Sequence, residues 1–133
     1  MPIVVGYIPT PEGRAALQHA AEEAELRRTR LVVVGSRHGG PDMDAQEVAR
    51  FDVSLAEAKA RLDELGVQAT VRGFVRGMEP AEDIVAAAEE ENARAIVIGI
   101  RKRSPIGKLI LGSTAQRVLL DATCPVIAVK PGT

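Results

Sequence analysis

Residues 94–120 read RAIVIGIRKRSPIGKLILGSTAQRVLL. The first six, RAIVIG (94–99), form the most apolar run of the chain, short and closed by a glycine. A short aliphatic run of that kind is expected of a strand buried on both faces of a parallel sheet. STAQRVLLDA (113–122) then takes up helical spacing. Between them lies GIRKRSPIGKLILGST (99–114), with three glycines, four basic residues (Arg101, Lys102, Arg103, Lys108) and no acid. A buried strand, a basic glycine loop and a helix in that order form one unit of an α/β fold.

The same alternation extends in both directions. PIVVGYI (2–8) reads as a strand, and TPEGRAALQHAAEEAELRR (10–28) as a helix with Thr10 at its N-cap and Pro11 in its first turn. RLVVVG (30–35) is a second strand, followed by the polar loop SRHGGPDMD (36–44). Val48, Phe51, Leu55, Ala58, Leu62 and Leu65 step by three and four along a long helix that Gly66 stops at C′. VQATVRGFVR (67–76) alternates like a half-exposed strand near a sheet edge. EPAEDIVAAAEEENA (79–93) is the third helix, and PVIAVK (125–130) the fifth strand. No repeat or linker interrupts residues 1–133, which are expected to form one domain.

Strand–helix–strand alternation with right-handed crossovers predicts a doubly wound parallel sheet. Five strands and four helices suit the flavodoxin-like (Rossmann-like) order 3-2-1-4-5, with helices on both faces. Ligands of such sheets sit beyond the carboxyl ends of the strands that flank the switch point, here strands 1 and 4. Those ends are Ile8-Pro9 and Gly99-Ile100, so the basic loop begins where this architecture puts its ligand.

Composition limits the partners. Of 133 residues, 46% are hydrophobic but only 2% aromatic, so the core must come from Val, Ile, Leu and Ala. A formal net charge of −1 gives no overall attraction for polyanions, and the loop has no aromatic residue on which bases would stack. Nucleic acid is therefore not an expected partner. No apolar run approaches the ~18 residues of a membrane span. The single Cys124 excludes an internal disulfide and fits a reducing compartment. The expectation is a soluble, cytoplasmic domain.

Physically, Gly99 lets the chain leave strand 4 beside a close ligand, and Gly112 does the same at the start of helix 4. Ser113 and Gln116 read as an S-x-x-Q capping box. A helix start with free N–H groups, next to four cations, suits a di- or triphosphate. The alternative is a capped helix behind a solvated basic loop, and glycine spacing alone does not decide between them. A Walker loop is excluded, because Gly107-Lys108 is followed by Leu109 and no glycine stands five residues before Gly107.

Strand 4, its loop, helix 4 and ATCPVIAVK resemble the C-terminal signature of the universal stress proteins, and VVGYIPTPEGRAAL resembles that family's opening. The family's nucleotide-binding members carry G-x2-G-x9-G-S/T. Here Gly99, the nine residues Arg103 to Leu111, and Gly112-Ser113 keep the spacing and three of its four fixed points. The resemblance implies ATP, with or without Mg²⁺, held by Gly99, Gly112, Ser113 and Thr114, with Arg101 and Lys102 supplying charge. It places the strand-2 wall of the adenine site near Gly35-Ser36, and it implies slow ATP hydrolysis for some members. Two positions depart from it. The motif's second glycine is Lys102, and the Asp at the end of strand 1 is Ile8, which would lie near the nucleoside without offering a carboxylate. Both departures favour a rival role, a dimeric module whose basic loop meets an acidic partner protein.

No nucleophile–base pair is readable, and no catalytic residue is assigned. His19 and His38 lack neighbours at ligand spacing and read as surface residues, so no metal site is expected. Cys124 reads as a half-buried packing residue, and EEEN (89–92) as a solvated face. Strand 5 is apolar on both faces yet falls at a sheet edge. Antiparallel pairing with the same strand of a second copy would cover it, as the family resemblance also implies, so a homodimer through 125–130 is expected.

Overall fold

The computed structural model describes residues 1–37, 44–75, 79–101 and 111–132, without the side chains of Arg37, Phe74 and Val75. Its elements alternate as β1 (Ile3–Gly6), α1 (Pro11–Leu26), β2 (Leu31–Arg37), α2 (Ala45–Glu64), β3 (Ala69–Val75), α3 (Pro80–Glu90), β4 (Ala95–Gly99), α4 (Ser113–Asp121) and β5 (Val126–Val129). The five strands form one parallel sheet in the order β3-β2-β1-β4-β5. The flavodoxin-like arrangement expected from the alternation is the one observed.

Register explains the aliphatic strands. Val4 lies level with Val32 on one side and Ile96 on the other, and all three have no exposed surface. Successive side chains point to opposite faces. Ile3, Val5, Leu31, Val33 and Val97 therefore meet α1 and α2, whereas Val4, Val32, Val34, Ile96 and Ile98 meet α3 and α4. Fully burying one such side chain contributes roughly 1.5–3 kcal/mol, so a core nearly without aromatics still suffices.

The helices are stopped by one device used three times. After α2, Gly66 has φ +74°, its N–H donates to Asp63 O, and the N–H of Val67 donates to Leu62 O. This is the left-handed cap expected at Gly66. The same pair of bonds ends α1 at Arg28 (φ 54°) and α3 at Asn92 (φ 52°).

Three expectations need correction. β2 continues through Ser36 and Arg37, because both pair with β3, so Ser36 is not a loop residue. The first strand stops at Gly6, although the N–H of Tyr7 still donates to Val34 O at 2.9 Å. The acidic run faces solvent at Glu89, Glu90 and Asn92, as expected, and two of its carboxylates also pair with arginines. Glu91 accepts from Arg30 at 2.5 Å and Glu90 from Arg72 at 2.7 Å, tying the end of α3 to β2 and β3. Ser113 makes no capping box. Gly112 holds the extended N-cap geometry (φ −68°, ψ 166°), which puts Ser113 inside the helix, and Gln116 Nε2 donates to Leu111 O instead.

Candidate functional site

Above the carboxyl ends of β1 and β4 lies a cleft of about 130 Å³. Gly6, Val34, Ile84 and Ile98 make an apolar floor between the sheet and α3. Tyr7, Ile8, Glu12 and Gly13 border it from β1 and α1, Ser36 from β2, and Thr114 and Ala115 from α4. Two hollows adjoin it. One of about 390 Å³ shares Tyr7, Ile8 and Ser36 and reaches Phe51, and one of about 430 Å³ shares Thr114 and includes Ser113, Gln116 and Arg117. The cleft thus runs across β2, β1 and β4 toward the start of α4.

Its closeness depends on missing Cβ atoms. A Cβ on Gly99 would stand 2.2 Å from the backbone oxygen of Glu12, and one on Gly13 1.8 Å from that of Ile8. Both glycines let the first turn of α1 settle against β1 and β4, so Gly99 is required by the protein's own packing. Gly112 differs: a Cβ there would meet no atom of the described residues within 4 Å. Among the described residues no side chain caps α4, and the N–H groups of its first turn have no partners within the helix.

The expected site residues divide accordingly. Gly99 and Thr114 line the cleft, and Ile8 stands at its mouth, 44% exposed. Gly112 and Ser113 are exposed at the head of α4, and Arg101 is exposed just beyond β4. Lys102, Arg103 and Lys108 lie outside the described residues, as does His38. Several cleft residues escaped the sequence reading. Pro80 and Ile84 were legible only as a helix start and a helix face. Glu12 is only 9% exposed and borders the cleft. Asp83 is 1% exposed and accepts a 2.5 Å hydrogen bond from Ser36 Oγ.

Burial raises the Tyr7 phenol above its ordinary value, with Arg14 opposing and Glu57 reinforcing the shift. Burial likewise raises the Cys124 thiol, so it is no activated nucleophile. Among the described residues, no three His, Cys, Asp or Glu side chains gather where they would hold a metal ion.

An apolar floor leading to an uncapped helix start is suited to a ligand with a flat ring at one end and an anion at the other. The universal stress protein family model matches residues 1–130. The chain belongs to that family. A universal stress protein of Mycolicibacterium smegmatis is 43% identical over 129 residues, 97% of each chain. Two solved universal stress protein structures from Archaeoglobus fulgidus each match across 98% of both chains. One is 44% identical with a TM-score of 0.88. The other, 36% identical with a TM-score of 0.81, is a complex with dAMP. In the present universal stress protein, no helix among the described residues is long and apolar enough to cross a membrane.

Proposed function

We propose that this universal stress protein binds an adenine nucleotide in the cleft above β1 and β4, with ATP as the expected occupant. The observation that carries this reading is the cleft's polarity from end to end. Its floor is aliphatic, and one end opens on the N-terminus of α4 beside Gly112, where no side chain among the described residues caps the helix or stands within 4 Å of a Cβ placed on the glycine. The Archaeoglobus relative in complex with dAMP supports the same ligand class.

In this reading the N–H groups of Ser113 and Thr114 receive phosphate oxygens, and Arg101 and Lys102 add positive charge. Gly99 and Thr114 border the ribose and Ile8 packs on the nucleoside. Ile8 contributes no carboxylate, so any Mg²⁺ arrives with the phosphates rather than in a protein cage. The protein acts as a cytoplasmic homodimer joined through β5, which lies at the sheet edge with Val126, Ile127 and Val129 only half-buried. One observation favours a second role. Ile8 is a large exposed aliphatic residue at the mouth, which suits a protein-interaction module whose basic loop meets an acidic partner.

Calorimetric titration of ATP into nucleotide-free protein, with and without Mg²⁺, separates the two. Saturable binding, one nucleotide per chain, is expected. A folded protein that takes up no ATP at millimolar concentration would overturn the nucleotide reading and leave the interaction module. Phosphate release measured on the same samples distinguishes plain binding from slow hydrolysis.

A further inference from the structure

A third hollow, of about 290 Å³, opens between α1 and α2 on the face of the sheet they share. Its floor is aliphatic. Leu17 of α1 and Leu62 of α2 are buried there, with Leu65 half-buried beside them. Its rim is charged. Arg14 stands one turn before Leu17, and Glu57, Arg61 and Leu65 follow one another at four-residue steps along α2. Residues so spaced share one helix face, which brings both kinds of side chain to the same opening.

Tyr7 adds a deeply buried polar group. It is 7% exposed, and the charges that act on its phenol are those of Arg14 and Glu57. Both belong to this rim, so the hydroxyl faces this hollow. Among the described residues, none hydrogen-bonds it. Burial keeps the phenol above its ordinary range, so near neutral pH it offers an O–H. The rim charges are also unmatched. Among the described residues neither Arg14 nor Glu57 forms an ion pair, although they face the hollow from opposite helices. Arg61 meets Glu64 of its own helix at 3.5 Å, with both side chains more than half exposed. Opposite charges held apart over an apolar floor match a ligand that is itself dipolar.

We propose that this hollow is a ligand site of its own, taking a small zwitterion: an α-amino acid with an aliphatic side chain. The carboxylate lies toward Arg14 and the Tyr7 hydroxyl, the ammonium toward Glu57, and the side chain on the leucines. The guanidinium and the phenol both donate, as a carboxylate requires, and Glu57 accepts, as an ammonium requires. The site is separate from the cleft and stands whether or not a nucleotide binds there.

Leucine, isocaproate and isoamylamine test it, since they share a branched aliphatic chain and carry both charges, the carboxylate alone and the ammonium alone. Tyr7 is the single tyrosine and the chain has no tryptophan, so the protein's ultraviolet emission reports on this residue. Backbone amide NMR locates the ligand. Leucine is expected to change the Tyr7 emission saturably and to shift the amides of Arg14, Gln18, Glu57 and Arg61. Its affinity should exceed that of either single-charge probe by about threefold or more. Glu57→Gln should remove leucine's advantage over isocaproate without weakening isocaproate. Arg14→Gln should weaken leucine and isocaproate about tenfold and spare isoamylamine. Both substitutions fall at exposed helix positions, where the fold tolerates them. No saturable response to leucine at millimolar concentration overturns the proposal, and this outcome needs no variant. Equal affinity for the three probes overturns it too, because the floor alone would then be binding. Shifts that gather at Gly99 and Thr114 instead would put leucine in the cleft and likewise overturn it.

Discussion

At the scale of single residues, two glycines that look alike in the sequence have different duties. Gly99 and Gly112 open and close the same basic loop, and the loop's pattern gives both to the ligand. A Cβ at Gly99 would stand 2.2 Å from a backbone oxygen, whereas one at Gly112 would meet no atom of the described residues within 4 Å. Gly99→Ala should therefore cost about 1–3 kcal/mol of stability through overpacking, read by denaturant unfolding. Gly112→Val should cost less than about 1 kcal/mol, since its extended backbone suits valine, yet weaken nucleotide binding at least tenfold by crowding the phosphate. This division was not legible in the sequence, because nothing in residues 94–114 says that Glu12 packs against Gly99. Ile8 was placed at the mouth by the strand alternation alone. Asp83 escaped notice because its partner, Ser36, stands 47 residues earlier, and a long-range polar pair leaves no local pattern.

At the scale of elements, types and order were readable and ends less so. Aliphatic runs bounded by glycine specify strands, and apolar steps of three and four specify helices, because each pattern matches one burial geometry. Ends depend on the backbone angles of one or two residues. Gly66 announced its cap by residue type. Arg28 and Asn92 hold the same left-handed position with no such signal, and Gly112 displaced the apparent capping box by taking the N-cap itself. Arg28 is exposed and takes its φ of 54° against the preference of an L-residue. Arg28→Gly should relieve that strain and, after the added flexibility of the unfolded chain, stabilise by about 0.5–1 kcal/mol. The corresponding rise is a few degrees in Tm, measurable by thermal melting. An unchanged or lower Tm would show that other interactions of Arg28 outweigh its backbone strain.

At the scale of the whole molecule, topology follows from the sequence more securely than assembly does. Parallel strands with right-handed crossovers leave few arrangements, and the order β3-β2-β1-β4-β5 is the one adopted. That order leaves two strands at edges, and only β5 is apolar in all four residues. The carbonyl of Pro125, just before β5, accepts from Ile96 of β4, and that of Val129 accepts from Ile100, just past β4. By the alternation of a parallel ladder, the backbone groups of Ala128 point away from β4. Ala128→Pro should thus spare the ladder with β4 and break pairing with a second copy, giving a folded monomer in analytical ultracentrifugation. A dimer that survives Ala128→Pro would place the contact elsewhere. The central claim concerns the cleft at the switch point of this sheet, and backbone amide NMR during an AMP titration tests it most directly. The account predicts saturable shifts at Tyr7, Ile8, Ser36, Gly99 and the Gly112–Thr114 turn. Shifts confined to the hollow that Arg14 and Gln18 of α1 and Glu57 and Arg61 of α2 line, or none at millimolar AMP, would contradict it.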